Sequence, residues 1–330
     1  MSEKIVLTGI KPTGMPHLGN YVGALKPLVE LSHTNKTFMF IADLHALNFM
    51  RDAAALRRHT YEIAAILVAL GLDLKNAVLF RQSDIVQVPQ LSTMLMNVTP
   101  KGLMNRAHSY KAAMDKNAAA GLDTDAGVNM GLYTYPILMA ADILLYGADT
   151  VPVGADQKQH VEFARDIAGY FNNIYGETFK MPTPVIGEHT GIIPGLDGRK
   201  MSKSYDNTIP LFADAATMKK KIMRIITDSK TPDEPKDPDA STIFQLYTHF
   251  ASDAEIASFR EMFTAGGMGY GTAKTMLFEK IESVLSGPRG EYDRLMANTA
   301  ELDAILADGA ARAAAVAAET FDRVKHAMLG

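Results

Sequence analysis

Hydrophobic positions along this chain follow two regimes. In the first two-thirds, short β-branched and aromatic runs alternate with stretches of helical period. IVLTG (5–9), FMFIAD (38–43), AVLFRQ (77–82) and TVPVG (150–154) read as strands. Between them, YVGALKPLVEL (21–31), AALRRHTYEIAAILVAL (54–70, closed by Gly71) and DQKQHVEFARDIAGYF (156–171) carry the spacing of helices. LMAADILLY (138–146) is too long and too Ala-rich for a strand and reads as a buried helix. Strands separated by helices in this rhythm predict a parallel sheet covered on both faces.

Past about residue 208 the pattern changes. KTPDEPKDPDAS (230–241) is a charged, Pro-rich surface loop that fits neither a helix nor an inner strand. The remainder is rich in Ala, Met and Glu at helical spacing, ending in a long pattern over 298–328. The expected division is 1–208 for the sheet domain, with a helical insertion around 100–140, and 209–330 for an all-helical domain.

Composition narrows the chemistry. A chain of 330 residues, 47% of them hydrophobic, is long enough for a full-sized core. It contains no cysteine, which excludes a disulfide scaffold, a thiolate metal site and a cysteine nucleophile. Nothing at the start resembles a signal peptide and no 18-residue apolar run occurs, so a cytoplasmic location and no membrane association are expected. The net charge of −4 arises entirely after residue 210 and leaves room for local basic patches. There is no tryptophan.

Two loops carry the chemistry. In TGIKPTGMPHLGNYVGAL, four glycines surround His17 and Asn20 between a strand and a helix. At the carboxyl end of a first parallel strand, such a loop meets nucleotide phosphates with free N–H groups. The plainer reading is a Gly-rich connection whose histidine caps the helix. It is neither a Walker loop nor GxGxxG. The second loop is RKMSKSYDN (199–207), where Lys200 and Lys203 sit among small hydroxyl residues after a turn-rich PGLDG. Paired ammoniums on such a loop suit a triphosphate that departs as pyrophosphate; a solvated surface loop is the alternative.

PTGMPHLGN resembles the HIGH signature, and KMSKS the second signature, of class I aminoacyl-tRNA synthetases. LMAADILL followed by VPVGADQKQHVE is similar to the tryptophanyl branch of that family. The resemblance extends to KKIMRIITDS (220–229) and GYG (269–271), so it runs essentially end to end. It implies a doubly wound, Rossmann-like nucleotide-binding domain followed by a helical tRNA- and anticodon-binding domain. The implied reaction converts L-tryptophan and ATP, with Mg²⁺ held mainly through the ATP phosphates, to tryptophanyl-AMP and pyrophosphate, and then charges tRNA(Trp). A homodimer is implied as well. A tyrosyl-tRNA synthetase and a non-catalytic RNA-binding paralogue are the alternatives.

Carried over position by position, the resemblance gives catalytic roles to His17, Asn20, Lys200, Lys203 and Lys111, with Lys116 the alternative to Lys111. Lys11, Pro12, Thr13, Gly19 and Asn20 would follow the ATP phosphates and adenine, and Gly154, Ala155 and Asp156 the ribose. Ile193 would pack on adenine, while Lys200, Met201, Ser202, Lys203 and Ser204 form the second signature. For tryptophan, Asp142 would accept from the indole N–H, walled by Tyr135, Met139, Ile143, Val151, Val153, Gln157, Gly9 and His45. Met139 and Asp142 are three apart on a helix and share a face. A carboxylate among the apolar residues of LMAADILL is costly without a donor, which an indole supplies and a phenyl ring does not.

Two features depart from the family. Lys11 stands where many bacterial members carry Gln, and the stretch 111–131 is several residues longer than usual. Lys101, Arg106, His108, Lys111 and Lys116, with Lys219, Lys220, Lys221 and Arg224, are candidate contacts for the tRNA backbone, or else solvated helix faces. Met94, Leu95 and Met96 are candidates for core or subunit interface.

Overall fold

The computed structural model describes residues 4–154, 158–186 and 192–330. β1 (Ile5–Ile10) opens the sheet, and α1 (Leu18–Asn20) runs through a π-helical stretch (Tyr21–Leu25) into α2 (Lys26–Ser32). β2 (Lys36–Ile41), α3 (Asp43–Ala46), α4 (Ala53–Ala69) and β3 (Ala77–Arg81) follow. Next come α5 (Gln87–Met96), α6 (Lys101–Met104), α7 (His108–Ala119), α8 (Met130–Leu145), β4 (Thr150–Val153), α9 (Lys158–Tyr175) and β5 (Thr183–Ile186). α10 (Ala215–Met223), α11 (Thr242–Thr248), α12 (Asp253–Ala265), α13 (Tyr270–Ala297) and α14 (Ala300–Leu329) complete the chain.

The five strands lie in the order β3-β2-β1-β4-β5, every neighbouring pair parallel. This is the doubly wound, Rossmann-like architecture expected from the alternation, followed by a helical C-terminal region. The central strands read as continuous apolar runs because both faces are buried: from Thr37 to Ile41 every residue of β2 is buried. One core layer joins α2, α4 and the helices of the last third. The other joins α5, α8 and α9 with α14. Since β1 is flanked by β2 on one side and β4 on the other, the chain reverses direction of winding there. The crevice beyond the carboxyl ends of β1 and β4 is the place where such sheets take ligands.

Local signals explain several boundaries. Asp52 caps α4 by accepting from the N–H groups of Ala54 and Ala55. Ser252 and Glu255 close a reciprocal capping box on α12. α14 returns to the sheet and lies along β3, covering an edge that would otherwise be open.

Some expectations need adjustment. β5 was not foreseen: TPVI is four residues with Pro184 in it, and proline is tolerated because the strand is at the edge. The second strand stops at Ile41, since Asp43 begins α3, and the third stops at Arg81. The buried helix starts at Met130 rather than 138, with Asn129 capping Leu132. Segment 230–241 contains neither helix nor strand, yet Lys236 within it is only 3% exposed. Its ammonium donates to the carbonyls of Thr231, Pro232 and Glu234, spending all three N–H groups inside the loop. No helix among the described residues is long and apolar enough to cross a membrane.

Candidate active site

A cavity of about 660 Å³ opens at the carboxyl ends of β1 and β4. Its lining includes Gly9, Lys11, Thr13, His17, Asn20, His45, Tyr135, Met139, Ile143, Val151, Val153, Gly154, Ser202 and Lys203. Residues from both signature loops, from β4 and from α8 therefore meet around one space. Gly9 is required by a close approach, because a Cβ there would fall 2.4 Å from Cζ of Phe40, whose ring also lines the cavity.

The first loop is ordered by reciprocal bonds. His17 Nδ1 accepts from the Asn20 N–H at 3.2 Å, and Asn20 Oδ1 accepts from the His17 N–H at 3.1 Å. The capping reading of His17 is thus correct, and it fixes the ring chemistry. With Nδ1 used as acceptor, the proton of the neutral imidazole sits on Nε2. Burial, reinforced by the charge of Lys203, lowers the His17 pKa to about 4. At neutral pH the ring is uncharged and can donate from Nε2.

The second loop docks on the first. Leu18 N–H donates to Ile209 O and Leu211 N–H to Pro16 O, both at 2.9 Å. Gly19 N–H points at Met201 Sδ, 3.3 Å away, and Lys203 Nζ donates to Thr13 O at 3.2 Å. Partial burial lowers the Lys203 pKa from its ordinary value. The brace of this loop is Asn207, a residue the sequence reading gave no role. It donates to Asp197 at 2.7 Å and to Lys200 O at 3.1 Å, and accepts from Ser202 N–H at 2.8 Å. Asp206, in the left-handed region at φ 48°, sets the turn that brings Asn207 inward.

Below the cavity, Asp142 is 1% exposed. His45 Nε2 donates to its Oδ2 at 3.0 Å, while Gln82 Nε2 donates to both oxygens. Gln82 is oriented in turn by the His45 N–H, which donates to Oε1 at 3.3 Å. Burial raises the Asp142 pKa, opposed by these donors. Gln82, fully buried at the end of β3, was not foreseen, and nothing in the strand-like AVLFRQ marks it as a site residue. Tyr135 OH accepts from Ser109 Oγ at 3.0 Å and lies 3.0 Å from His160 Nε2, tying the cavity wall to α7 and α9.

Several expected residues stand apart from the cavity surface. Asp142 lies beneath it; Pro12, Gly19, Ile193, Met201 and Ser204 belong to its loops without lining it; and Lys200 is exposed. Lys111 and Lys116 sit on exposed positions of α7 and neither lines the cavity. Ala155, Asp156 and Gln157 lie outside the described residues. Leu95 is core, whereas Met96 is 45% exposed. Lys219, Lys220 and Arg224 are exposed on or just after α10, with Lys219 over the Phe278 ring.

Among the described residues, no acidic side chain lines the cavity, and no group of three or more His, Cys, Asp or Glu could hold a metal ion. Two lysines, Lys11 and Lys203, and the neutral His17 give this lining the donors that phosphate oxygens require.

Comparison with known proteins bears on the family and the fold. The family described as tRNA synthetases class I (W and Y) matches residues 2–286. A Tryptophan--tRNA ligase from Pseudomonas aeruginosa is 50% identical over 328 residues, covering 98% of this chain and 73% of that protein. One from Xanthomonas campestris is 51% identical over 310 residues, covering 93% and 72%. Among solved structures, tryptophanyl-tRNA synthetase from Campylobacter jejuni complexed with ADP and tryptophan superposes with a TM-score of 0.90 at 40% identity, covering 98% of both chains. A tyrosyl-tRNA synthetase from Archaeoglobus fulgidus, 20% identical with a TM-score of 0.64 over 88% of this chain and 91% of its own, shares the fold.

Proposed function

The chain belongs to the class I tRNA synthetases of the tryptophan and tyrosine branch, and from that premise we infer that it is a tryptophan–tRNA ligase. It activates L-tryptophan with ATP to tryptophanyl-AMP and pyrophosphate, then passes the acyl group to tRNA(Trp). The observation that carries the reading is the meeting of the two signature loops, through Lys203 on Thr13 and Gly19 on Met201, over an apolar cavity.

The reaction is an in-line displacement at the α-phosphorus: the tryptophan carboxylate forms the new bond and pyrophosphate carries away the electron pair. Such chemistry needs alignment and charge neutralisation more than covalent help. We assign His17 Nε2–H to the phosphoryl oxygens; the N–H groups at the start of α1 are already spent on Ile209 O, Met201 Sδ and His17 Nδ1. Lys203, Lys200 and Lys11 take the departing charge. Mg²⁺ would be held mainly through the ATP phosphates, where it would supply charge neutralisation; no described residue lining the cavity carries a carboxylate to hold it. Thr13, Asn20, Gly154 and the second loop, with Ala155 and Asp156, hold the rest of the nucleotide.

For tryptophan, Tyr135, Met139, Ile143, Val151 and Val153 form the apolar wall, with Gln157 and His45 at its edges. Asp142 accepts from the indole N–H. Its Oδ1 takes one bond and its Oδ2 two, so Oδ1 keeps an acceptor position. We assign residues 209–330 and the basic faces of α7 and α10 to tRNA, and a cytoplasmic homodimer as the working form; sedimentation velocity tests the dimer. The activity is tested by amino-acid-dependent pyrophosphate exchange. Tryptophan stimulates it and tyrosine does not, whereas the reverse result overturns the assignment.

A further inference from the structure

α4 carries a charged group of side chains that the reaction above leaves unused. His59 Nδ1 lies 2.7 Å from Glu62 Oε2, and Arg58 Nε lies 3.6 Å from the other carboxylate oxygen. The side chains of His59 and Glu62 are mostly covered, at 18% and 14% exposure. The far edge of the imidazole faces the first signature loop. A methyl group placed on Gly14 would lie 3.4 Å from His59 Cε1, 3.7 Å from His59 Nε2 and 3.7 Å from Lys203 Nζ. His59 and Lys203 therefore converge on one point from two elements. Gly14 and Lys203 line the cavity, as does Ile63, one helical turn beyond His59. Nε2 of His59 has no hydrogen-bond partner among the described residues.

We propose that His59 is a further binding residue for the polyphosphate, gripping the pyrophosphate end of ATP beside Lys203 while Glu62 holds its ring; this rests on the adenylate-forming reading. The carboxylate accepts from Nδ1–H and thereby fixes the ring plane. A phosphate oxygen arriving at Gly14 then meets an ammonium from the second loop and an imidazole edge from α4. A ring that donates Nδ1–H to Glu62 and also carries a proton on Nε2 presents that second N–H to the phosphate oxygen. The arrangement also covers both Glu62 oxygens, through Arg58 and His59, so that a bare carboxylate does not repel the incoming phosphates.

The test is tryptophan-dependent pyrophosphate exchange by the full chain, comparing His59→Gln and His59→Lys with the unaltered protein. His59→Gln raises KM for pyrophosphate and ATP about tenfold, the effect of losing one charge-assisted hydrogen bond, and leaves KM for tryptophan unchanged. His59→Lys restores phosphate affinity, because charge rather than ring shape is what matters. Unchanged phosphate KM in His59→Gln, or retention by Gln with loss by Lys, overturns the proposal. If the unaltered chain shows no tryptophan-stimulated exchange, the ligase reading falls instead. Calorimetric titration with pyrophosphate alone then decides His59: tighter binding by the unaltered chain than by His59→Gln supports it, and equal binding overturns it.

Discussion

Gln82 donates from Nε2 to both carboxylate oxygens of Asp142, at 3.0 and 2.8 Å, with both side chains buried. The His45 N–H bonds to the other end of the same amide, so the orientation of the carboxylate is set from two sides. Gln82→Met keeps the volume and removes the donor. It leaves a buried carboxylate underbonded, at a cost of about 1–3 kcal/mol. The expected outcome is a raised KM for tryptophan with an unchanged KM for ATP, because nothing in the phosphate-binding loops touches Gln82. Pyrophosphate exchange at varied tryptophan, and separately varied ATP, checks it; equal loss of both affinities counts against a role confined to the amino-acid side.

Gly309 places α14 against the edge of the sheet. A Cβ at this position would lie 1.8 Å from Leu79 O, a backbone atom of β3 that cannot move aside alone. Gly309→Ala is a better helix former, yet the overpacking costs about 1–3 kcal/mol and outweighs that gain. Thermal unfolding at fixed protein concentration should show a lower midpoint. The substrate KM values stay unchanged below the transition, since Gly309 does not line the active-site cavity.

How legible was all this in the sequence? Four strands were, because each is an apolar run followed by a stretch of helical spacing, whereas β5 (TPVI) has no such helical pattern close behind it. Cavity residues on the signature loops could be named in advance, because the resemblance to the synthetase signatures points to those positions and the cavity lining includes Lys11, Thr13, His17, Asn20, Ser202 and Lys203. Gln82, Asn207 and His59 could not. Each acts through a partner distant in the chain or through an unremarkable helical pattern, and only folding brings Gln82 to Asp142 or His59 to Gly14. Asp142 shows both sides of the problem: its apolar surroundings marked it as needing a donor, but the donors present are His45 and Gln82, contacts that no local pattern encodes.

His17 makes a prediction about pH. Its folded-state pKa is about 4, against 6.5 for an unperturbed histidine. The unfolded chain therefore takes up a proton between these values while the folded one does not. Stability from this residue is fully present above about pH 6.5 and is lost as pH falls towards 4. Denaturant unfolding should show a flatter dependence over this window in His17→Asn than in the unaltered protein. Identical slopes would mean that the buried ring titrates normally.

The two lysines of the second signature should differ. Lys203 reaches Thr13 O and lines the cavity, whereas Lys200 is exposed and its ammonium makes no hydrogen bond among the described residues. Lys203→Ala is expected to lower adenylate formation about 10²-fold, the loss associated with one transition-state donor. Lys200→Ala is expected to cost less. Single-turnover formation of tryptophanyl-AMP separates them, and a larger loss at Lys200 would mean that the loop rearranges before chemistry.

The chain's 12 tyrosines and absence of tryptophan turn the substrate into its own reporter. Light at the red edge of the indole band excites bound or free tryptophan and almost nothing in the protein. Tyr135, Met139, Ile143 and Val151 line the cavity; in the proposed pocket the indole exchanges water for this wall, so its emission should shift to shorter wavelength in a saturable way. Asp142→Asn replaces the acceptor with a group that can also present N–H, and should weaken binding about tenfold, as for one hydrogen bond to a charged partner. Unchanged emission together with no heat of binding by calorimetry would contradict the tryptophan assignment itself. A normal shift with undiminished affinity in Asp142→Asn would leave the substrate in place and remove Asp142 from the indole contact.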